Sequence, residues 1–126
     1  MKILIVDDSD LIRSNLIKLF RFADDSFEIH EAEDTGKAIN TLIEINPEVI
    51  IIDLRLPGGN GYEVLSAAKE AQIPLKIVLT NYFYEMHESR SYDLGADHFF
   101  DKSDEYTKLL DIIREFRDKR KAGSND

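Results

Sequence analysis

One stretch of the chain decides its fold, and it is Pro47-Glu48-Val49-Ile50-Ile51-Ile52-Asp53-Leu54-Arg55-Leu56-Pro57. Residues 49–52 are all β-branched, and an acidic side chain follows them at once. A short run that is apolar on both faces is typical of a central strand in a parallel sheet, which helices cover on both sides. Pro47 opens the run and Pro57 lies beyond it, so the strand is short. We therefore predict a buried strand that delivers Asp53 to the sheet edge where open α/β folds bind ligands.

Strands and helices alternate along the whole chain. Helical spacing of apolar residues follows the first, second, third and fifth strand-like runs. The segment after the fourth run, from about Tyr84 to Leu94, has a weak apolar stripe. This order of elements predicts βαβ units with right-handed crossovers, and therefore an α/β fold around a parallel sheet. The five predicted strands are residues 2–6, 27–30, 49–52, 75–79 and 96–100.

Composition limits the classes of function. A chain of 126 residues is expected to form one domain, which we place at residues 1–121, followed by a disordered tail at 122–126. The net charge of −9 disfavours direct binding to nucleic acid or to anionic membranes and favours cations or basic partners. The absence of cysteine excludes thiol catalysis and thiolate metal sites. No apolar run is long enough to span a bilayer, and the first is too short for a signal peptide, so we expect a cytoplasmic protein.

Polar residues follow four of the predicted strands. Asp7 and Asp8 follow the first strand, Asp53 the third, Thr80 the fourth, and Lys102 comes just after the fifth. These ends meet at one edge of a parallel sheet, where three carboxylates repel one another and raise the pKa of at least one of them. A bound Mg²⁺ relieves that repulsion, because it takes oxygen ligands and commonly combines carboxylates with phosphate oxygens. The set predicts a site for a phosphoryl group beside a divalent cation, with a carboxylate that can act as nucleophile.

Each of these features also has an ordinary explanation. Asp7-Asp8 could cap the following helix, although two acids exceed what one cap needs. Lys102 alone is usually a solvated lysine, and Thr80 alone is usually a plain strand end. The glycine-rich residues 58–61 are not followed by Gly-Lys-Ser/Thr and therefore predict a turn. Residues 82–84, which are all aromatic, could form a partner surface or pack over the end of the fourth strand.

Four motifs follow one another along nearly the whole chain. They are Val6-Asp7-Asp8, Ile52-Asp53 with Pro57 and Gly61 four and eight residues on, Leu79-Thr80, and Phe99-Phe100-Asp101-Lys102. In this order they resemble the receiver domain of two-component response regulators. The resemblance implies a flavodoxin-like, doubly wound, five-stranded parallel sheet of order 2-1-3-4-5 with five helices, an order that receiver proteins exemplify.

The resemblance implies a role for each acid at the sheet edge. Asp53 would be the phosphoacceptor and a ligand of Mg²⁺. Asp8 would bind Mg²⁺ directly, and Asp7 would contribute through water. The backbone carbonyl of Arg55 would complete the protein ligands of the metal.

The resemblance also implies a switch. Lys102 would contact the phosphoryl oxygens, and Thr80 would move to hydrogen-bond them while Phe99 followed it inward. Phe99 has no hydroxyl, so this switch would rest on packing. Lys102 is followed by Ser103, where the family usually has proline in a cis bond. A cis bond before a non-proline residue costs about 2.5–4 kcal/mol, so this loop either accepts that cost or takes a trans path.

The implied function is a signalling switch rather than an enzyme acting on a separate substrate. Its donor would be a phosphohistidine on a sensor histidine kinase or a histidine phosphotransfer protein. Its downstream protein partner would bind the face of the fourth helix, fifth strand and fifth helix. Alternatives are a phosphorelay intermediate, an aspartate-nucleophile phosphatase, and a flavin mononucleotide binder. The phosphatase usually has a second acid where Arg55 stands, and the acidic loop at Asp7-Asp8 would repel a flavin phosphate.

Overall fold

The computed structural model describes residues 1–81, 85–102 and 106–124, with the backbone alone at Ser124. Within these ranges, five strands alternate with five helices and form one parallel sheet of order β2-β1-β3-β4-β5. The predicted α/β fold, strand order and helix number are therefore confirmed. The elements are β1 (Lys2–Val6), α1 (Asp10–Ala23), β2 (Glu28–Ala32), α2 (Thr35–Ile45), β3 (Val49–Ile52), α3 (Gly61–Glu70), β4 (Leu75–Thr80), α4 (Glu85–Asp93), β5 (His98–Asp101) and α5 (Tyr106–Ser124).

Strand β3 lies at the centre of the sheet, as its composition predicts. All four of its residues are buried, and it pairs with β1 on one side and β4 on the other. Its alternate side chains face two apolar layers. Ile50 and Ile52 belong to the layer that α2 and α3 cover, whereas Val49 and Ile51 belong to the layer that α1 and α5 cover. Burial on both faces leaves the strand ends as the place where polar side chains can meet solvent.

Side-chain caps fix where three helices begin. The Ser9 hydroxyl accepts from the backbone amide of Ile12 at 3.2 Å, and the Asp34 carboxylate accepts from the backbone amide of Lys37 at 2.7 Å. Asn60 caps α3 in the same way through the amide of Glu63 at 3.1 Å. Each cap satisfies an amide that the first helical turn leaves without a partner. The loops that leave β1, β2 and β3 therefore turn back into helices at defined points.

Some boundaries differ from those predicted. Strand β2 begins at Glu28 and extends to Ala32, because Ala32 is buried beside Val6. Helix α5 continues through 122–124, which were predicted to belong to a disordered tail. Ala122 favours helix and Lys121 suits the negative end of the helix dipole, so the sequence gives no reason to stop before them. Residues 82–84, 103–105 and 125–126, including Ser103, lie outside the described residues.

Asp24 ends α1 and connects it to α5. The hydroxyl and backbone amide of Ser26 donate to its carboxylate at 2.6 and 3.0 Å, and Arg117 donates at 3.1 Å. These contacts, the Ser26 hydroxyl foremost, lower the pKa of Asp24 to about 2.

Ser26→Ala is expected to raise the pKa of Asp24 towards its ordinary value of about 3.9. A carboxyl group whose pKa is lower in the folded than in the unfolded chain stabilises the fold at pH values above its unfolded pKa. This contribution is lost as the pH falls through about 2. The variant should therefore lose part of this contribution at neutral pH. An NMR titration of the Asp24 carboxyl carbon measures the shift, with Ser14→Ala as control; an unchanged pKa would contradict the assignment to Ser26.

Candidate functional site

Three carboxylates meet at the carboxyl edge of the sheet. Asp7 directly follows β1 and Asp53 directly follows β3, and both are buried, whereas Asp8 is exposed. The pairing of Val6 with Ile52 brings the two strand ends side by side, and the backbone amide of Asp53 donates to the Val6 carbonyl at 2.9 Å. One carboxylate oxygen from each acid lies within 4.8 Å of the others. A set of hard oxygen ligands at this spacing fits Mg²⁺ chemistry.

Lys102 lies between two of these acids. Its Nζ donates to Asp53 Oδ2 at 2.8 Å and is 2.5 Å from Asp7 Oδ2, and the side chain is only 6% exposed. Its backbone amide donates to the Thr80 carbonyl at 3.0 Å, which holds the ends of β4 and β5 together. Two buried carboxylates thus share one buried ammonium group.

Burial raises the pKa of Asp7 more than repulsion between the carboxylates does. Burial raises the pKa of Asp7, and hydrogen bonds from Lys102 and Ser9 only partly offset it, with repulsion by Asp53 as the weakest cause. The sequence predicted that repulsion would raise the pKa of at least one carboxylate. The direction of the shift is confirmed at Asp7, but its main cause is burial. Burial lowers the pKa of Lys102, but hydrogen bonds to Asp53 and Asp7 outweigh burial and raise it. Lys102 therefore carries its charge at neutral pH.

The loop after Asp53 packs tightly against it. The backbone amide of Gly61 donates to the Leu54 carbonyl at 2.8 Å, and a Cβ at position 61 would lie 2.2 Å from the Asp53 carbonyl oxygen. The amide of Thr35 donates to the Pro57 carbonyl at 3.1 Å, which ties the loop to α2. Arg55 is exposed, and its amide points at Asp53 Oδ1 from 3.4 Å.

The two residues predicted to form the switch lie inside the molecule. Thr80 is fully buried at the end of β4. Phe99, in β5, is 4% exposed and packs in the apolar layer that α2 and α3 cover. The switch roles of Thr80 and Phe99 stay predictions.

Comparison with known proteins places this chain in a family. Residues 3–114 match the family model of the response regulator receiver domain. The chain belongs to this family. The resemblance drawn from the four sequence motifs is confirmed, and with it the assignment to two-component signalling.

Curated relatives of this receiver domain are longer regulators. The chain is 25% identical over 117 residues to the sensory transduction protein LytT of Bacillus subtilis, covering 93% of this chain and 48% of LytT. It is 37% identical over 101 residues to the transcriptional regulatory protein SrrA of Staphylococcus aureus, covering 80% of this chain and 41% of SrrA. The receiver domain thus spans less than half the length of these two relatives.

Solved structures share the fold. The signal receiver domain of a DNA-binding response regulator from Colwellia psychrerythraea aligns with a TM-score of 0.88 at 23% identity, covering 94% of this chain and 98% of that one. The N-terminal domain of a Wolinella succinogenes protein aligns with a TM-score of 0.86 at 27% identity, covering 98% of each chain. A response regulator from Burkholderia pseudomallei, solved with a phosphorylated aspartic acid and a calcium ion, aligns with a TM-score of 0.79 at 20% identity, covering 86% of this chain and 64% of that one.

Two polar contacts near the site were not predicted. Arg13 is buried and donates to the Asp7 carbonyl at 2.6 Å. Its signal was a charged residue at helical spacing from Leu16, within an apolar stripe. His87, on α4, places Nδ1 2.7 Å from the Tyr62 hydroxyl and so joins α4 to α3. No sequence pattern relates these two residues, which are 25 positions apart.

Among the residues that the structure describes, no helix combines the length and hydrophobicity needed to cross a bilayer.

Proposed function

We propose that this receiver domain is a phosphorylation switch that accepts a phosphoryl group on Asp53 in a Mg²⁺-dependent reaction in the cytoplasm. The donor would be a phosphohistidine on a sensor histidine kinase or a histidine phosphotransfer protein. The observation that carries the proposal is the buried Lys102 ammonium, shared by Asp7 and Asp53 within a cluster of three carboxylates. The phosphorylated aspartic acid and calcium ion in the Burkholderia pseudomallei regulator support it.

The chemistry is a transfer between two nucleophiles. An Asp53 carboxylate oxygen forms a bond to phosphorus, the phosphorus–nitrogen bond of the phosphohistidine breaks, and the imidazole nitrogen keeps the electron pair. Asp7, Asp8, Asp53 and the Arg55 carbonyl would hold Mg²⁺, which supplies charge neutralisation at the phosphoryl oxygens. Lys102, already within 2.8 Å of Asp53, would exchange a carboxylate contact for a phosphoryl oxygen. Catalysis in this scheme is positioning plus electrostatic stabilisation.

The signal would leave through the face formed by α4, β5 and α5. Met86 in α4 is 73% exposed, and Ser91 is the buried residue of this helix. Within the described part of the chain, the Ser91 hydroxyl has no hydrogen-bond partner, which carries a cost in free energy. A helix held this weakly opens easily, so Thr80 and Phe99 could shift it when the phosphoryl group arrives. The downstream partner would be a protein that prefers one of the two positions.

Tyr62→Phe is expected to loosen α4. The hydroxyl it removes is the one that His87 contacts at 2.7 Å, whereas the ring, over which Arg90 lies at 4.1 Å, remains. Loss of about 1 kcal/mol should accelerate hydrogen exchange of α4 amides roughly fivefold. Tyr106→Phe on α5 is the matched control. Unchanged exchange in α4 would contradict this role of Tyr62.

Intact-mass measurement after incubation with acetyl phosphate tests the proposed function. The wild type is expected to gain one phosphoryl group with Mg²⁺ and none with a chelator present. Asp53→Asn, which keeps the shape of the side chain but removes the nucleophile, is expected to gain none. A gain that is independent of Mg²⁺ or of Asp53 would overturn the proposal.

A further inference from the structure

Arg13 is a buried charge that the proposed phosphotransfer does not use. It belongs to α1, one turn before Leu16, and only 8% of its surface is exposed. A buried guanidinium needs partners for its donors, because an unpaired buried charge is strongly unfavourable. The partners of Arg13 therefore indicate what it holds in place.

The guanidinium joins three neighbouring segments. Nη1 donates to the Asp7 carbonyl oxygen at 2.6 Å, and Nε donates to Glu31 Oε1, on β2, at 3.0 Å. Nη2 pairs with Asp10 Oδ1 in the first turn of α1. The planar group thus spans the end of β1, the end of β2 and the start of α1, with each nitrogen directed at a different partner.

The contact with the Asp7 carbonyl fixes the peptide that leads to Asp8. A carbonyl and the next amide lie in one rigid plane, so the orientation of the Asp7 carbonyl sets the direction in which Asp8 leaves the backbone. The Asp7 side chain is held separately, by the Ser9 amide at 2.9 Å and by Lys102. The Asp8 carboxylate is exposed and has no hydrogen-bond or ion-pair partner within the described ranges. Its position therefore depends on the backbone.

We propose that Arg13 is a positioning residue that orients Asp8 for Mg²⁺ binding. The proposal rests on the metal site of the proposed function and adds to it a residue that does not itself contact the ion. The Arg13 charge faces the carboxylates of Asp10 and Glu31, so its main effect on the metal site is geometric. Lysine would keep the charge but present a single ammonium in place of the three-way fork.

Arg13→Lys is expected to weaken Mg²⁺ binding by about 10- to 100-fold, the usual loss when a residue that orients a metal ligand is changed. The measurement is a Mg²⁺ titration of the whole chain, followed by the amide NMR signals of Asp8 and Asp53 without a phosphodonor. Arg21→Lys is the matched control. Arg21 is exposed on the same helix and donates to the Phe27 carbonyl at 3.4 Å, away from Asp7 and Asp8. The Mg²⁺ affinity of Arg21→Lys should therefore equal that of the wild type.

A second readout separates positioning from a general folding defect. At saturating Mg²⁺, Arg13→Lys should approach the wild-type rate of phosphorylation by acetyl phosphate, because excess metal compensates for weak binding. Wild-type Mg²⁺ affinity in a folded Arg13→Lys variant would overturn the inference and leave the proposed function standing. A wild type that binds no Mg²⁺ would overturn both. If Arg13→Lys does not fold, Glu31→Gln must still weaken Mg²⁺ binding, because it loosens the orientation of the guanidinium; an unchanged affinity there overturns the inference.

Discussion

Gly61→Ala is expected to destabilise the protein by about 3 kcal/mol, the upper part of the usual range for overpacking. The added Cβ would lie 2.2 Å from the Asp53 carbonyl oxygen and 2.7 Å from the Leu54 Cα, and both of these are backbone atoms that cannot rotate away. The loop after β3 must therefore move, and Asp53 must move with it. We also expect weaker Mg²⁺ binding, because the carboxylate would leave its place beside Asp7.

Urea denaturation measures this change, and Gly36→Ala is the matched control. A Cβ at Gly36 would meet Asp34 Oδ1 at 3.7 Å, an ordinary contact, and position 36 lies inside α2. The control is expected to be neutral or stabilising by roughly 0.5 kcal/mol. Equal stabilities of Gly61→Ala and wild type would show that the β3–α3 loop does not approach Asp53 as closely as described.

Lys102→Met is expected to cost about 3 kcal/mol of stability without metal and to slow phosphorylation strongly. The substitution keeps the buried stem but removes the ammonium that Asp7 and Asp53 share at 2.5 and 2.8 Å. Removing one member of a buried charge pair leaves the partner uncompensated, which typically costs about 3–5 kcal/mol. Phosphorylation should slow because the group that would neutralise the phosphoryl oxygens is gone.

The stability that Lys102→Met loses relative to the wild type should depend on pH in a defined direction. In the wild type the pKa of Asp7 is raised by burial, and the hydrogen bond from Lys102 opposes that rise, so its loss raises this pKa further. A carboxyl whose folded pKa exceeds its unfolded value favours the folded state at low pH and loses that contribution as pH rises through the folded pKa. The stability gap to the wild type should therefore widen from acidic to neutral pH.

Asp7→Asn in the Lys102→Met background serves as the compensating control. It removes one of the two uncompensated carboxylates, so thermal denaturation should show a recovery of stability. A double variant no more stable than Lys102→Met would contradict the electrostatic explanation.

The fold was predictable because its main signals are local. The apolar run of β3 identifies a central strand, and the alternation of strands and helices around it leaves a parallel sheet as the consistent arrangement. The acids at positions 7, 8 and 53 were predictable as a group for the same reason, since they follow strands that end at one edge. The weak apolar stripe of α4 likewise predicted a helix with little buried surface.

The details of the site depend on register and packing, which the sequence does not express locally. The contact of Lys102 with both Asp7 and Asp53 needs the ends of three strands to align within about an ångström. The raised pKa of Asp7 depends on how deeply the side chain is buried. Arg13 appeared in the sequence as an irregularity in an apolar stripe, but its bond to the Asp7 carbonyl follows from the relative placement of α1 and β1.

The position of the phosphoryl group tests most directly whether Asp53 is the phosphoacceptor. After incubation with acetyl phosphate and Mg²⁺, borohydride reduction converts an aspartyl phosphate to homoserine, and tandem mass spectrometry of peptides locates it. We expect homoserine at position 53 and aspartate at positions 7 and 8. Homoserine at position 7 or 8, or a phosphorylated chain in which position 53 remains aspartate, would contradict it.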